Sequence, residues 1–232
     1  MKLSPTRLLA LALLLAPGSL LYGEDKQADG TSLFDGKTLE GWDGNPKFWS
    51  VKDGVITGQT TATNPTQGNT FLIWRAGTLE NFQLDLEFRM VGGNSGIQYR
   101  SKDLGNWVVG GYQADIDAGF KFIGILYEER GRGILALRGT KVEISESGEK
   151  KTVGKTGEDK DILAVIKKEQ WNKYSISAQG NHLVQKINGK VTVDVIDNQV
   201  SKRAMKGILA LQLHAGPPML VQFRQITLRK LK

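Results

Sequence analysis

Cysteine is absent from all 232 residues, which excludes disulfide staples, thiolate metal sites, thiol nucleophiles and a lipid anchor through cysteine. Histidine occurs twice, at His182 and His214, too few for a three-histidine metal centre within one chain. No glycine-rich phosphate loop stands between a strand and a helix, and no nucleophile elbow is present, so neither nucleotide binding nor an elbow-type serine hydrolase has a foothold. No stretch approaches the roughly 20 apolar residues of a membrane-spanning helix. Repeats of fixed period and low-complexity linkers are also missing.

The chain opens MKLSPTRLLALALLLAPGSLLYGEDKQ, with Lys2 and Arg7 ahead of an apolar run from Leu8 to Ala16 and then Pro17 and small residues. This pattern predicts a secretory signal peptide over 1–23, a tail over 24–30 and one domain over 31–232, giving an exported protein, periplasmic or extracellular, with no membrane association after cleavage. The formal charge of +7 includes Lys2 and Arg7, so the mature chain carries +5. Its remaining cations are mixed with acids, as in SESGEKKTVGKTGEDKDILAVIKKEQ, which reads as a solvated loop and not as a nucleic-acid surface.

Glycine is frequent, at 28, and proline sparse, at 6; between turn signals, short runs alternate apolar and polar residues. QLDLEFRM puts Leu84, Leu86, Phe88 and Met90 on one face and Gln83, Asp85, Glu87 and Arg89 on the other, the period of a half-buried strand. HLVQKINGKVTVDVID places Asn188-Gly189 between two such runs, a strong hairpin signal because both residues tolerate positive φ. WNKYSISAQ, GILALQLHA and MLVQFRQITLRKL complete a C-terminal series of strands. Only DILAVIKKEQ looks helical, and the charged stretch from about Thr140 to Asp161 reads as a loop insertion. The expected fold is all-β, a jelly-roll sandwich of two antiparallel sheets, one of which can offer a curved face to a ligand.

Polar residues concentrate in three places. GGNSGIQYRS carries Asn94, Gln98 and Arg100 between glycines that permit a sharp bend. GGYQADIDAGFKFIGILYEERGRGILA carries Gln113, Asp115, Asp117, Tyr127, Glu128, Glu129, Arg130 and Arg132. LQLHAG places Gln212 and His214 two apart, on one strand face; Gln113, Asp115 and Asp117 share a face by the same spacing. Taken singly, each has a plain structural reading: a turn, a hairpin tip with surface ion pairs, a half-buried histidine. Taken together, they are the carboxylates, guanidinium, amides and imidazole with which a sheet face binds a polyol. Trp42, Trp49, Trp74, Trp107 and Trp171 add candidate stacking platforms for sugar rings, although core packing accounts for most tryptophans.

SLFDGKTLEGW, FWSVKDGVITG, NFQLDLEFRMVGGNSGIQYRS and KGILALQLHAGPPMLVQFRQITLRKL together resemble the 3-keto-disaccharide hydrolase domain family, from about Thr31 to the C-terminus. The resemblance implies a concanavalin A-like jelly roll, export, and action on 3-keto-glycosides made by a partner sugar 3-dehydrogenase. That family often shows Gly-Tyr-Glu-x-Gln-x-x-Asp in its central strand. Here Tyr112 is followed by Gln113 and Asp115, so the carboxylate stands two positions further along the same face.

The implied chemistry follows from the ketone. A carbonyl at C3 acidifies the C2 proton, the enolate expels the C1 substituent, and water adds back. The reaction needs a base, an electrophile at O3 and an acid for the leaving group. Asp115 or His214 is the expected base, Arg100 with Asn94 the enolate stabiliser, and Glu128 or Glu129 the proton donor. Asn94, Gln98, Gln113, Asp117, Tyr127, Arg130, Arg132 and Gln212 are the expected substrate contacts. A divalent metal ion held by oxygen ligands and His214 is the alternative electrophile. Three other readings compete: an ordinary glycosidase with paired carboxylates, a non-catalytic carbohydrate-binding module, and a surface protein whose polar clusters do not converge.

Overall fold

The computed structural model describes Met1 and residues 30 to 232. Apart from Met1, the expected signal segment lies outside the described residues. Among these residues two sheets and one short helix, α1 (Asp159–Leu163), make up the fold. The ten-stranded sheet runs in the order β12 (Lys150–Lys155), β11 (Thr140–Ile144), β15 (Lys190–Asp197), β14 (His182–Ile187), β13 (Asn172–Gln179), β6 (Phe82–Val91), β17 (Leu220–Lys230), β4 (Val55–Gln59), β3 (Trp49–Lys52), with β1 (Thr31–Ser32) also paired to β17. The seven-stranded sheet runs β10 (Gly133–Ala136), β9 (Leu126–Glu129), β8 (Val109–Asp117), β7 (Asn94–Asp103), β16 (Gly207–Leu213), β5 (Thr70–Leu79), β2 (Trp42–Asp43). Pairing is antiparallel except between β11 and β15. This is the expected all-β jelly-roll sandwich.

The alternation read in β6 is real: Leu84, Leu86, Phe88 and Met90 are buried while their neighbours are half-exposed. They meet Ile97 and Tyr99 of β7 and Tyr112, Ala114 and Ile116 of β8 in one apolar core between the sheets. Each buried side chain of this size contributes about 1.5–3 kcal/mol, and together they fix which face of each strand turns inward. Asn188 and Gly189 form the β14–β15 turn, with φ of 47° and 83°.

One expectation is corrected. The stretch from Thr140 to Asp161 is not a loop insertion, because β11 and β12 form a hairpin there and α1 follows. Val142 and Ile144 are buried while Lys141 and Glu143 are exposed, a period of two that the surrounding charges obscure.

Candidate active site

The odd-numbered core residues of β7 and the even-numbered ones of β8 face the opposite sheet, so their neighbours point to the outer face of the seven-stranded sheet. Register pairs Asn94 with Asp117, Gly96 with Asp115, and Gln98 with Gln113. Ser95 Oγ donates to the Gln212 carbonyl at 2.7 Å, tying β7 to β16. At this end of the sheet a pocket of about 630 Å³ opens, lined by Asn94, Gln113, Asp115, Asp117, Tyr127, Glu129, Gln212 and His214, with Asn69 and Gly93. Its apolar side is Phe122, Ile125, Ile134, Ala215, Pro217 and Met219. The three polar clusters therefore converge, and the reading in which they stay apart is not the one the fold adopts.

Asp115 is 5% exposed. Burial pushes its carboxyl up to about 7, helped by the nearby Asp117 and Glu129 and opposed by hydrogen bonds from Gln113 and Asn94. Gln113 Nε2 donates to Asp115 Oδ1 at 2.6 Å, and Gln98 Nε2 donates to Gln113 Oε1 at 2.7 Å. Glycine at 96 makes this arrangement possible, because a Cβ there would stand 2.5 Å from the Gln113 side chain. Gln98 thus lies beneath the lining and holds Gln113, without reaching the pocket itself.

The other lining groups are positioned by turns and short bonds. Asp117 accepts from the backbone N–H of Phe122 at 2.9 Å and of Gly119 at 3.3 Å, shaping the loop that carries Phe122. Burial, then Glu129 and Asp115, raise the Tyr127 hydroxyl pKa. Gln212 Nε2 faces Glu129 Oε2 at 3.4 Å, and Gln212 Oε1 is buried without a partner among the described residues. His214 Nδ1 bonds the Ala215 carbonyl; a carbonyl only accepts, so Nδ1 carries the hydrogen and Nε2 of the neutral ring keeps its lone pair. Asn69 Oδ1 accepts from Ala215 N at 3.0 Å, fixing the loop after β16.

Besides Gln98, an expected substrate contact that instead lies behind Gln113, four expected site residues stand elsewhere. Arg100 does not reach across the sheet to Asp115. A bulge between Tyr99 and Lys102, with Arg100 at φ 48°, breaks the alternation, and the guanidinium donates to the carbonyls of Glu80, Gly180 and Ala204. Glu128 faces inward opposite Tyr112 and is held by Arg132 Nε at 2.7 Å. Arg132 also pairs with Asp197 at 2.7 Å, to which Tyr112 donates at 2.6 Å. This closed network is structural, and it withdraws Glu128 and Arg132 from the pocket. Arg130 is exposed at the β9–β10 turn with φ 54°. Among the described residues no lysine or arginine lines the pocket, so an electrophile drawn from these walls is an amide N–H or the Tyr127 hydroxyl.

No tryptophan lines the pocket either. Trp42 and Trp49 are core residues, Trp74 packs half-buried against that core, Trp107 donates to Asp43, and Trp171 lies under Arg224. Among the described residues no group of three or more His, Asp or Glu side chains is arranged to hold a metal ion. The sequence reading missed Asn69 and the apolar side. Pro217 and Met219 follow His214 closely enough to have been suspected, whereas Asn69 is delivered only by the pairing of Thr70 with Leu213.

The 3-keto-alpha-glucoside-1,2-lyase-like domain family matches residues 29–229. A 3-keto-disaccharide hydrolase of Bacteroides thetaiotaomicron is 35% identical over 85 residues, a stretch covering 33% of this chain and 29% of that protein. Among solved structures, a glycosyl hydrolase candidate from Parabacteroides distasonis aligns with TM-score 0.58 at 23% identity, covering 88% of this chain and 100% of the other. Carbohydrate-binding module CBM66 from Bacillus subtilis aligns with TM-score 0.55 at 12% identity, covering 82% and 96%. These two structural likenesses are likenesses of fold.

Proposed function

The chain belongs to the 3-keto-alpha-glucoside-1,2-lyase-like domain family, and from that premise we propose that it is an exported enzyme cleaving 3-keto-glycosides in this pocket. The observation that carries the reading is Asp115, a nearly buried carboxyl raised to about 7 on the wall of a pocket with room for a sugar. A protein that only binds sugar gains nothing from a desolvated carboxyl, whereas a general base with a pKa near the working pH does.

Asp115 takes the C2 proton, and the C2–H electrons form the enolate with negative charge on O3. Amide N–H groups of Asn94 and Gln212 donate to that oxygen. The enolate re-forms the ketone as the C1–O bond breaks, and the departing oxygen takes a proton from Glu129. Water adds at C1 of the resulting unsaturated ketone, giving a proton to Glu129, and Asp115 returns its proton to C2, so the result is net hydrolysis with both carboxyls restored. His214 Nε2, Tyr127 and Asp117 orient hydroxyls. The substrate has to come from an enzyme that oxidises a glycoside at C3, and the basic, apolar opening of the chain supports action outside the cytoplasm.

The test is turnover of a 3-keto-glucoside beside its unoxidised parent, each with and without chelator. Cleavage of the keto sugar alone is expected. Cleavage of both would make the protein an ordinary glycosidase, and binding without cleavage of either would make it a sugar-binding module. Loss of activity with chelator would add a metal ion to the mechanism.

A further inference from the structure

Behind Asp115 runs a line of three buried, uncharged polar side chains, Gln113, Gln98 and Ser101, of which only Gln113 lines the pocket. Gln113 Nε2 donates to Asp115 Oδ1 at 2.6 Å, Gln98 Nε2 to Gln113 Oε1 at 2.7 Å, and Ser101 Oγ to Gln98 Oε1 at 2.7 Å. Gln98 and Ser101 are three apart and in a regular strand would face opposite ways. The bulge between Tyr99 and Lys102 brings them together. Two glycines clear the space. A Cβ at Gly96 would meet Gln113 at 2.5 Å, and one at Gly111 would meet Ser101 Oγ at 2.5 Å.

We propose that Ser101, Gln98 and Gln113 are positioning residues forming a reversible relay, whose two hydrogen-bond polarities match the two charge states of Asp115. With Asp115 ionised, the donors point toward it, as just described. With Asp115 protonated, its O–H donates to Gln113 oxygen, Gln113 nitrogen to Gln98 oxygen, and Gln98 nitrogen to Ser101 Oγ. The serine hydroxyl hydrogen then turns to the Tyr99 carbonyl at 3.1 Å or the Tyr112 carbonyl at 3.3 Å, both already beside it. Each amide turns over in place, its oxygen and nitrogen exchanging positions, so no backbone has to move. Every atom of the line keeps a partner in both states, which a buried polar chain requires. Serine suits the far end because a hydroxyl both donates and accepts.

The ionisable groups around Asp115 are Asp117 on its own strand, Tyr127 and Glu129 on β9, His214 after β16, and Tyr174 on β13 across the core. None belongs to the relay, so its polarity follows Asp115. The role in turnover rests on Asp115 being the base: the relay would hold that carboxyl in one orientation while it takes a proton and returns it. The relay itself can be read without substrate.

The experiment is an NMR titration of the isotopically labelled mature protein, following the Asp115 carboxyl carbon and the side-chain amide signals of Gln98 and Gln113. All three are expected to move with one midpoint. Contacts from the Gln98 amide protons should run to Ser101 below that midpoint and to Gln113 above it. Ser101→Ala removes the acceptor that the protonated polarity needs, and a stranded buried N–H is worse than a stranded oxygen, so the Asp115 midpoint should fall by about half a pH unit or more. Gln98 amide signals that ignore pH while Asp115 titrates would overturn the relay, as would a Ser101→Ala midpoint equal to that of the unaltered protein. A relay that reverses in a protein cleaving no keto sugar leaves the relay standing and removes the enzymatic reading. Turnover with a static relay does the opposite.

Discussion

Glu128 and Glu129 are neighbours in the chain and point to opposite faces of their strand: Arg132 holds Glu128 at 2.7 Å on the core side, while Glu129 lines the pocket. One acid therefore belongs to the scaffold, and the proposed chemistry falls to the other. Glu129→Gln should lower turnover of a 3-keto-glucoside about 10²-fold or more with the melting temperature unchanged. Glu128→Gln weakens the bond to Arg132, and should cost about 1–3 kcal/mol in denaturant unfolding while turnover stays within a few-fold. Reversal of the two phenotypes would exchange the roles.

Asp115 links activity to pH in one direction and stability in the other. Its carboxyl lies at about 7 in the folded protein against an ordinary 3.8. Between those values the folded chain holds a proton that the unfolded chain has released, so stability falls as pH rises from about 4 through 7. Asp115→Asn removes that loss, and at pH 8 the variant should be more stable by on the order of 2–4 kcal/mol. Turnover should rise with pH through about 7 in the unaltered protein, and drop about 10³-fold in the variant. Parallel melting curves and rate profiles from pH 5 to 9 check both.

Arg100 is expected to act on folding alone. Arg100→Met strands the carbonyls of Glu80, Gly180 and Ala204 and should cost about 2–4 kcal/mol. Turnover per folded molecule, titrated by active-site binding, should remain within a few-fold. A large fall in kcat with unchanged stability would return Arg100 to the chemistry.

Gly96 tests the geometry around the base. Gly96→Ala puts a methyl group where Gln113 now lies, 2.5 Å away, without demanding an unusual φ. The displaced amide no longer aligns with Asp115, so kcat should fall about 10²-fold with a stability cost of about 1–3 kcal/mol. A crystal structure of the variant should show Gln113 moved and β7 unchanged.

Local pattern alone determined much of this protein. The alternation in β6, the Asn188-Gly189 hairpin and the common faces of Gln113 with Asp115 and of Gln212 with His214 are consequences of side-chain period and turn chemistry, which short stretches carry in full. The jelly-roll class follows from many such stretches together. What only the tertiary structure decided is which face looks outward and where the period breaks. Arg100 and Gln98 are two apart and by spacing share a face, yet the bulge after Tyr99 sends one guanidinium to backbone carbonyls and keeps one amide behind the pocket. Asn69 enters the site only because β5 pairs with β16. Lys141 and Glu143 hid a strand whose burial comes from Val142 and Ile144 packing into a core built by distant segments. Bulges, partner strands and desolvation are set by contacts far along the chain, and for that reason the residues near the pocket were legible in the sequence while their division between chemistry and scaffold was not.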